Sequence, residues 1–115
     1  MNFLKAIFGG STNSLSAGEA KELIGGGKPP FILDVRQPDE YRGGHIASAK
    51  LIPLNDLAAR MHELPKDREI LCVCRSGARS GMAAGQLAAA GYSAVNLRGG
   101  MMSWQGSGFP VKQGK

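Results

Sequence analysis

The stretch CVCRSGARSG, residues 72–81, packs cysteine, arginine, serine and glycine together at the point where an apolar run stops. Residues 69–73 (EILCV) read as a buried strand, and an alanine-rich helix former begins about five residues after Cys74. A loop passing from a strand end into a helix N-terminus turns successive backbone N–H groups inward. With the helix dipole they make an anion cradle. Gly77 permits the positive-φ turn such a loop needs, and Ser76 and Ser80 offer hydroxyl donors. Arg75 and Arg79 add positive charge. Each feature favours thiolate over thiol, so Cys74 is expected below the usual cysteine pKa and able to act as a nucleophile. The arginines would stabilise its charge and recruit an anionic ligand. The alternative on local grounds is a buried, inert cysteine beside surface arginines.

The other reactive residue types carry less. Cys72 lies inside the strand and reads as core, with a resolving thiol for Cys74 as the alternative. His45 reads as a hydrogen-bonded structural residue and His62 as solvent-facing or capping. The two cysteines and two histidines have no ligand spacing, so no metal site is expected. Asp34 and Arg36 look like an ion pair or hydrogen-bond hub at a strand's carboxyl end, joined by Glu40, with Arg36 also facing the pocket mouth. Trp104 reads as a core anchor, Met82 and Leu87 as helix packing, and Met101 with Met102 as pocket rim or gap fillers.

Strands alternating with helices must position these groups. Ser16 with Glu19 makes a capping-box start to a short helix that the glycines at 25–27 end. Residues 31–35 form a compact apolar strand, and Pro38 opens a short helix reaching 41 or 42. A short strand follows at 50–53, then a helix to Met61 that Asn55 caps. After the strand at 69–73 come a helix over 79–90, a strand over 92–97 and a last helix over 100–105. The pattern predicts an α/β domain: a mainly parallel sheet of about five strands with helices on both faces. Cys74 then stands at the carboxyl end of a strand, where open α/β sheets bind ligands.

A chain of 115 residues, 43% hydrophobic and 20% charged, suits one globular domain. Two cysteines are too few for a disulfide framework, so free thiols in a reducing compartment are expected. The apolar residues near the start are too few for a secretory leader, and no segment could span a bilayer. The expected location is the cytoplasm. Phe3, Leu4, Ile7 and Phe8 read as a lightly packed terminus, with contact to a membrane or partner as the alternative. All nine acidic residues lie at or before Glu69, so the net charge of +5 is carried by Arg75, Arg79, Arg98, Lys112 and Lys115. There is neither a dense basic stripe nor interleaved aromatics, which argues against nucleic acid and for a small anion.

Three blocks in order give the chain a resemblance. Asp34, Val35 and Arg36, then Glu40 and Tyr41, then Gly44, His45 and Ile46 match a DVR…EY..GHI signature. CRSGARS, residues 74–80, is similar to an active-site loop, and Leu97, Arg98, Gly99, Gly100, Trp104, Gly108, Pro110 and Val111 match a closing LxGG…W…G.PV. Together they resemble the single-domain rhodaneses, over about residues 15–111, with an N-terminal extension at 1–14 and a tail at 112–115. Ser48, where the family often has glycine, and Lys50, where an uncharged residue is usual, depart from the pattern without touching the chemistry.

The resemblance implies a rhodanese-like fold and a sulfurtransferase. Thiolate Cys74 takes the outer sulfur of an anionic donor such as thiosulfate, polysulfide or a persulfide, and then passes it to cyanide, a thiol or a sulfur-accepting protein by ping-pong catalysis. Cys74 would be catalytic. Arg75, Ser76, Gly77, Ala78, Arg79 and Ser80 would bind substrate, their amides holding the persulfide anion, with Asp34 and Arg36 in support. No cofactor is implied, and a monomer is expected. Phosphatases and arsenate reductases of related architecture use the wider C-x5-R loop, whereas Cys74 to Arg79 is C-x4-R, and no acid follows Glu69 as a near general acid. A non-catalytic sulfur carrier or binding module is the other alternative.

Overall fold

Ile70–Val73 is apolar throughout and buried throughout, which requires a covering layer on each face of the sheet it enters. The computed structural model describes residues 13–115. Its strands are β1 (Ser14–Leu15), β2 (Phe31–Asp34), β3 (Lys50–Leu51), β4 (Ile70–Val73) and β5 (Ala94–Leu97). They form one sheet of order β1-β5-β4-β2-β3 in which every pairing is parallel. Leu33 lies beside Cys72, and Cys72 beside Asn96.

The helices are α1 (Ala17–Ile24), α2 (Pro38–Gly43), α3 (Leu57–Arg60), α4 (Ala78–Ala89) and α5 (Gly100–Gly106). Side chains alternate across the pleat, so the core has two halves. Leu71, Val73, Val95 and Leu97 pack with Ala17, Ala20, Met101 and Trp104 under α1 and α5. Ile70, Cys72 and Cys74 pack with Leu33, Val35, Leu57, Ala83, Ala84 and Leu87 under α3 and α4. Among the described residues no helix is long and apolar enough to cross a membrane.

Most elements follow their sequence signals. Ser16 accepts from the Glu19 amide at 3.1 Å while Glu19 accepts from the Ser16 amide at 2.8 Å, completing the capping box of α1. Three expectations are corrected. Asn55 caps nothing: it sits inside a 3₁₀ turn, Leu54–Asp56, and α3 is a single α-turn that passes into a second 3₁₀ turn at Met61–Glu63. The strand expected over 50–53 keeps only its first two residues in the ladder. Met82 is 66% exposed, because the buried stripe of α4 runs through Ser80, Ala83, Ala84 and Leu87 and leaves position 82 on the outer side. β1 is a two-residue edge strand with no periodic signal of its own to read. Phe3, Leu4, Ile7 and Phe8 lie outside the described residues.

Candidate active site at the carboxyl end of the sheet

After β2 the chain turns outward to β3, and after β4 it turns the other way to β5. The carboxyl ends of β2 and β4 therefore flank a topological switch point, where a crevice is lined by α2, Arg75 and α5. Cys74 is the first residue beyond β4 and lies almost fully buried at the base of its loop. Gly77 has φ +105°, and a Cβ there would come within 3.2 Å of the Gly99 amide nitrogen. That conformation folds the chain back so that the Gly77 N–H points at the Cys74 sulfur, with N to Sγ at 3.1 Å. The Ser80 hydroxyl lies 3.2 Å from the same sulfur. Burial alone would raise the Cys74 pKa, but the Ser80 hydroxyl and the backbone amides of Ser80, Gly77 and Ser76 outweigh it and hold the thiol below its ordinary value. Cys72, buried one pleat back on the same face, has no such donors. Burial, with the charge of Cys74 beside it, pushes its thiol up to about 12.

The loop is also fixed from behind. The Met101 amide donates to the Cys74 carbonyl at 2.8 Å and the Met102 amide to the Arg75 carbonyl at 3.0 Å. A side chain on Gly100 would meet both carbonyl oxygens at 2.5 Å, so only glycine lets α5 come this close. Asn96 of β5 reaches across the sheet: its Nδ2 donates to the Gly77 carbonyl at 3.2 Å, which leaves Oδ1 to accept from the Ser80 hydroxyl. Ser80 has one proton, so the Cys74 sulfur and Asn96 compete for it. Sequence reasoning passed over Asn96; its signal is a carboxamide inside an otherwise apolar strand.

The arginines of the loop divide. Arg79 is held in a bidentate pair with Glu40, at 2.8 and 2.9 Å. Arg79 holds the Glu40 carboxyl down to about 2, despite the opposing effect of partial burial. Glu40 is therefore the acid that other elements bring to the loop, and it comes to Arg79 rather than to Asp34 and Arg36. Those two form their own buried pair, with guanidinium to carboxylate distances of 2.8 to 3.1 Å, and Arg36 also donates to the Gly44 carbonyl at 2.9 Å. This ties the end of β2 to the end of α2. Removing one partner of such a buried pair typically costs about 3–5 kcal/mol. Arg75, Ser76 and Ala78 are exposed along the loop, and Ser80 is buried.

His45 is structural in position: its Nδ1 lies 2.8 Å from the Tyr41 carbonyl, its ring stacks on Tyr41 at 3.7 Å, and its backbone pairs with Lys112. Trp104 is buried and donates to the Pro110 carbonyl at 2.8 Å. Among the described residues no cluster of His, Cys, Asp or Glu has metal-site geometry. A larger surface depression, about 530 Å³, is lined by Lys28, Pro29, Asp67, Arg68 and Glu69 at the opposite ends of β2 and β4, with no cysteine, serine or histidine in its lining.

A parallel α/β sheet carrying a cysteine loop over a switch point defines the class, and comparison with known proteins gives the family. Residues 16–107 match the rhodanese-like domain. The chain belongs to the rhodanese-like domain family. It is 36% identical over 100 residues to a protein named sulfurtransferase from Allochromatium vinosum, covering 86% of this chain and 94% of that one. It is also 36% identical to a putative sulfurtransferase, YtwF, from Bacillus subtilis, covering 84% and 93%. Among solved structures, a rhodanese-related protein from Thermoplasma volcanium superposes with a TM-score of 0.82 at 33% identity, covering 87% of this chain and 97% of that one.

Proposed function

We propose that this protein is a sulfurtransferase that carries sulfane sulfur on Cys74. The Cys74 thiolate attacks the outer sulfur of a donor such as thiosulfate; the donor's S–S bond breaks, sulfite leaves with the electron pair, and a Cys74 persulfide remains. A thiol or cyanide then attacks the outer sulfur and restores the thiolate. The observation that carries this reading is the Cys74 sulfur accepting from the Gly77 amide and the Ser80 hydroxyl at 3.1 and 3.2 Å inside a four-residue C-x4-R loop. Donors fixed in place before reaction stabilise the thiolate as attacking group and again as leaving group. Family membership and the names of the relatives support sulfur transfer in general.

The test is intact mass after incubation with thiosulfate, then after cyanide, on wild type and Cys74→Ser. A gain of one sulfur, about 32 Da, that cyanide removes and Cys74→Ser never acquires is the expected result. No adduct with thiosulfate or polysulfide would reject the reading.

A further inference from the structure

The charged groups around the crevice nearly all come in pairs. Arg36 is held by Asp34, and Arg79 by Glu40. Against Arg75, the residue that follows Cys74, lies a cavity of about 350 Å³ whose lining also includes Asp39, Met101, Met102 and Gln105. Among the described residues neither Arg75 nor Asp39 has an ion-pair partner, and both are exposed. One free cation and one free anion therefore face the same space, with methionine side chains and an amide between and around them. A small dianion gains from Arg75 and loses to Asp39. A molecule carrying both a carboxylate and an ammonium gains from each.

We propose that this cavity binds an amino-acid-type thiol as the sulfur acceptor, its carboxylate on Arg75 and its ammonium on Asp39. The assignment rests on the persulfide chemistry above. The bound thiol loses its proton to solvent and its thiolate attacks the outer sulfur of the Cys74 persulfide. The S–S bond to Cys74 breaks, its electron pair returns to the Cys74 sulfur, and the acceptor departs as a persulfide. Sulfur is passed on with no net oxidation. Met102, 59% exposed, and Met101, buried beneath it, give the carbon frame of the ligand a polarizable wall.

The test uses the full chain, loaded with polysulfide and followed by intact mass as the persulfide is discharged. Three thiols separate the two charges: cysteine has both, cysteamine lacks the carboxylate, and 3-mercaptopropionate lacks the ammonium. Each variant rate is divided by the wild-type rate for the same thiol, which cancels the intrinsic reactivity of that thiol. Asp39→Asn is expected to slow cysteine and cysteamine about threefold, the scale of an exposed ion pair, and to speed 3-mercaptopropionate. Arg75→Gln is expected to slow cysteine and 3-mercaptopropionate and to speed cysteamine. A general loosening of the loop cannot produce changes of opposite sign. Glutathione carries the same charge pair on its γ-glutamyl end, farther from the thiol, and a second carboxylate on its glycine; sensitivity of glutathione but not cysteine to Asp39→Asn assigns the γ-glutamyl frame, and the reverse assigns the small one. Variants that scale all thiols by one factor, or leave all unchanged, overturn the proposal while sulfur transfer stands. A wild type that never loads with sulfur overturns both.

Discussion

Cys72 and Cys74 stand two residues apart, on the same face of the same sheet, each with no more than 1% of its surface exposed. Their thiols are driven in opposite directions, Cys72 up to about 12 and Cys74 below its ordinary value. Solvent exposure alone therefore does not separate them. Inside β4 the backbone amides are spent on the neighbouring strands, and among the described residues no donor reaches the Cys72 sulfur in its apolar half of the core. One residue past the strand the ladder stops, and amides of the turn at residues 76–80 become free to point at a sulfur. The contrast teaches that in this chain a thiol is shifted toward its thiolate by the end of a strand, through neutral donors in a fixed loop. Low exposure alone makes a protonated thiol.

The most drastic way to break the contrast is to exchange the roles of the two sulfurs. Cys74→Ser should abolish sulfur uptake, whereas Cys72→Ala should load with sulfur from thiosulfate as the wild type does. Its cost is confined to stability, on the order of 1 kcal/mol for a small cavity beneath α4, read from a thermal melt. Sulfur found on Cys72 by peptide mapping of Cys74→Ser would show that the loop is not what makes the thiolate. Next in size is Gly77→Ala. A Cβ at φ +105° is strained and presses on the Gly99 amide, so the loop must open and the amide donor must leave the sulfur. The initial rate with thiosulfate should fall by roughly a hundredfold, from the loss of one fixed donor and of the geometry of its neighbours, while the fold survives.

How far this arrangement can be read from the sequence depends on its range along the chain. The strand end, the helix start, Gly77 and Ser80 lie within seven residues of one another. Their consequence, a loop with amides turned inward, follows from local backbone rules and is what the structure shows. The pairing of Arg79 with Glu40 spans 39 positions. It depends on strand order, which hydrophobic periodicity does not encode, so Arg79 looks like free charge in the sequence and is neutralised in the fold. Asn96 is hidden for the same reason, since its effect on the loop exists only once β5 lies beside β4. Met82 is a different kind of error: an alanine-rich helix marks its buried face weakly, and a phase shift of one residue moves a methionine from core to solvent.

Ser80→Ala sharpens the contrast by removing one donor and keeping the loop. A hydrogen bond to a charged group is worth about 1.5–3 kcal/mol, so the rate at neutral pH should drop roughly tenfold or more. The sign of the pH dependence follows from which form the hydroxyl favours. Ser80 donates to the thiolate, so its loss raises the Cys74 pKa, and the acid limb of the pH–rate profile moves to higher pH with the rate recovering on the alkaline side. A uniform loss at every pH would mean that Ser80 acts on shape alone. Asn96→Ala frees the Ser80 proton and also releases the Gly77 carbonyl, so its profile, set against that of Ser80→Ala, separates the two contacts.

The smallest effect belongs to Glu40→Gln, and it asks whether charge or neutral donors make the thiolate. Glu40 is held at about 2 against an ordinary 4.5, so the unfolded chain binds the proton more readily than the folded one. Its contribution to stability is therefore complete above pH 4.5 and is lost as the pH falls through about 2. For a partly exposed pair it amounts to about 1 kcal/mol or less. Thermal melts of wild type and Glu40→Gln should differ by a few degrees at pH 7 and converge toward pH 2. In the same variant the Arg79 guanidinium loses its counterion and keeps its place on α4. The hydrogen bonds that lower the Cys74 thiol come from Ser80, Gly77 and Ser76, so the acid limb of the pH–rate profile should move much less than in Ser80→Ala. If freeing Arg79 pulls that limb down as far as losing the Ser80 hydroxyl pushes it up, the thiolate is a product of charge, and Glu40 is the group that restrains it.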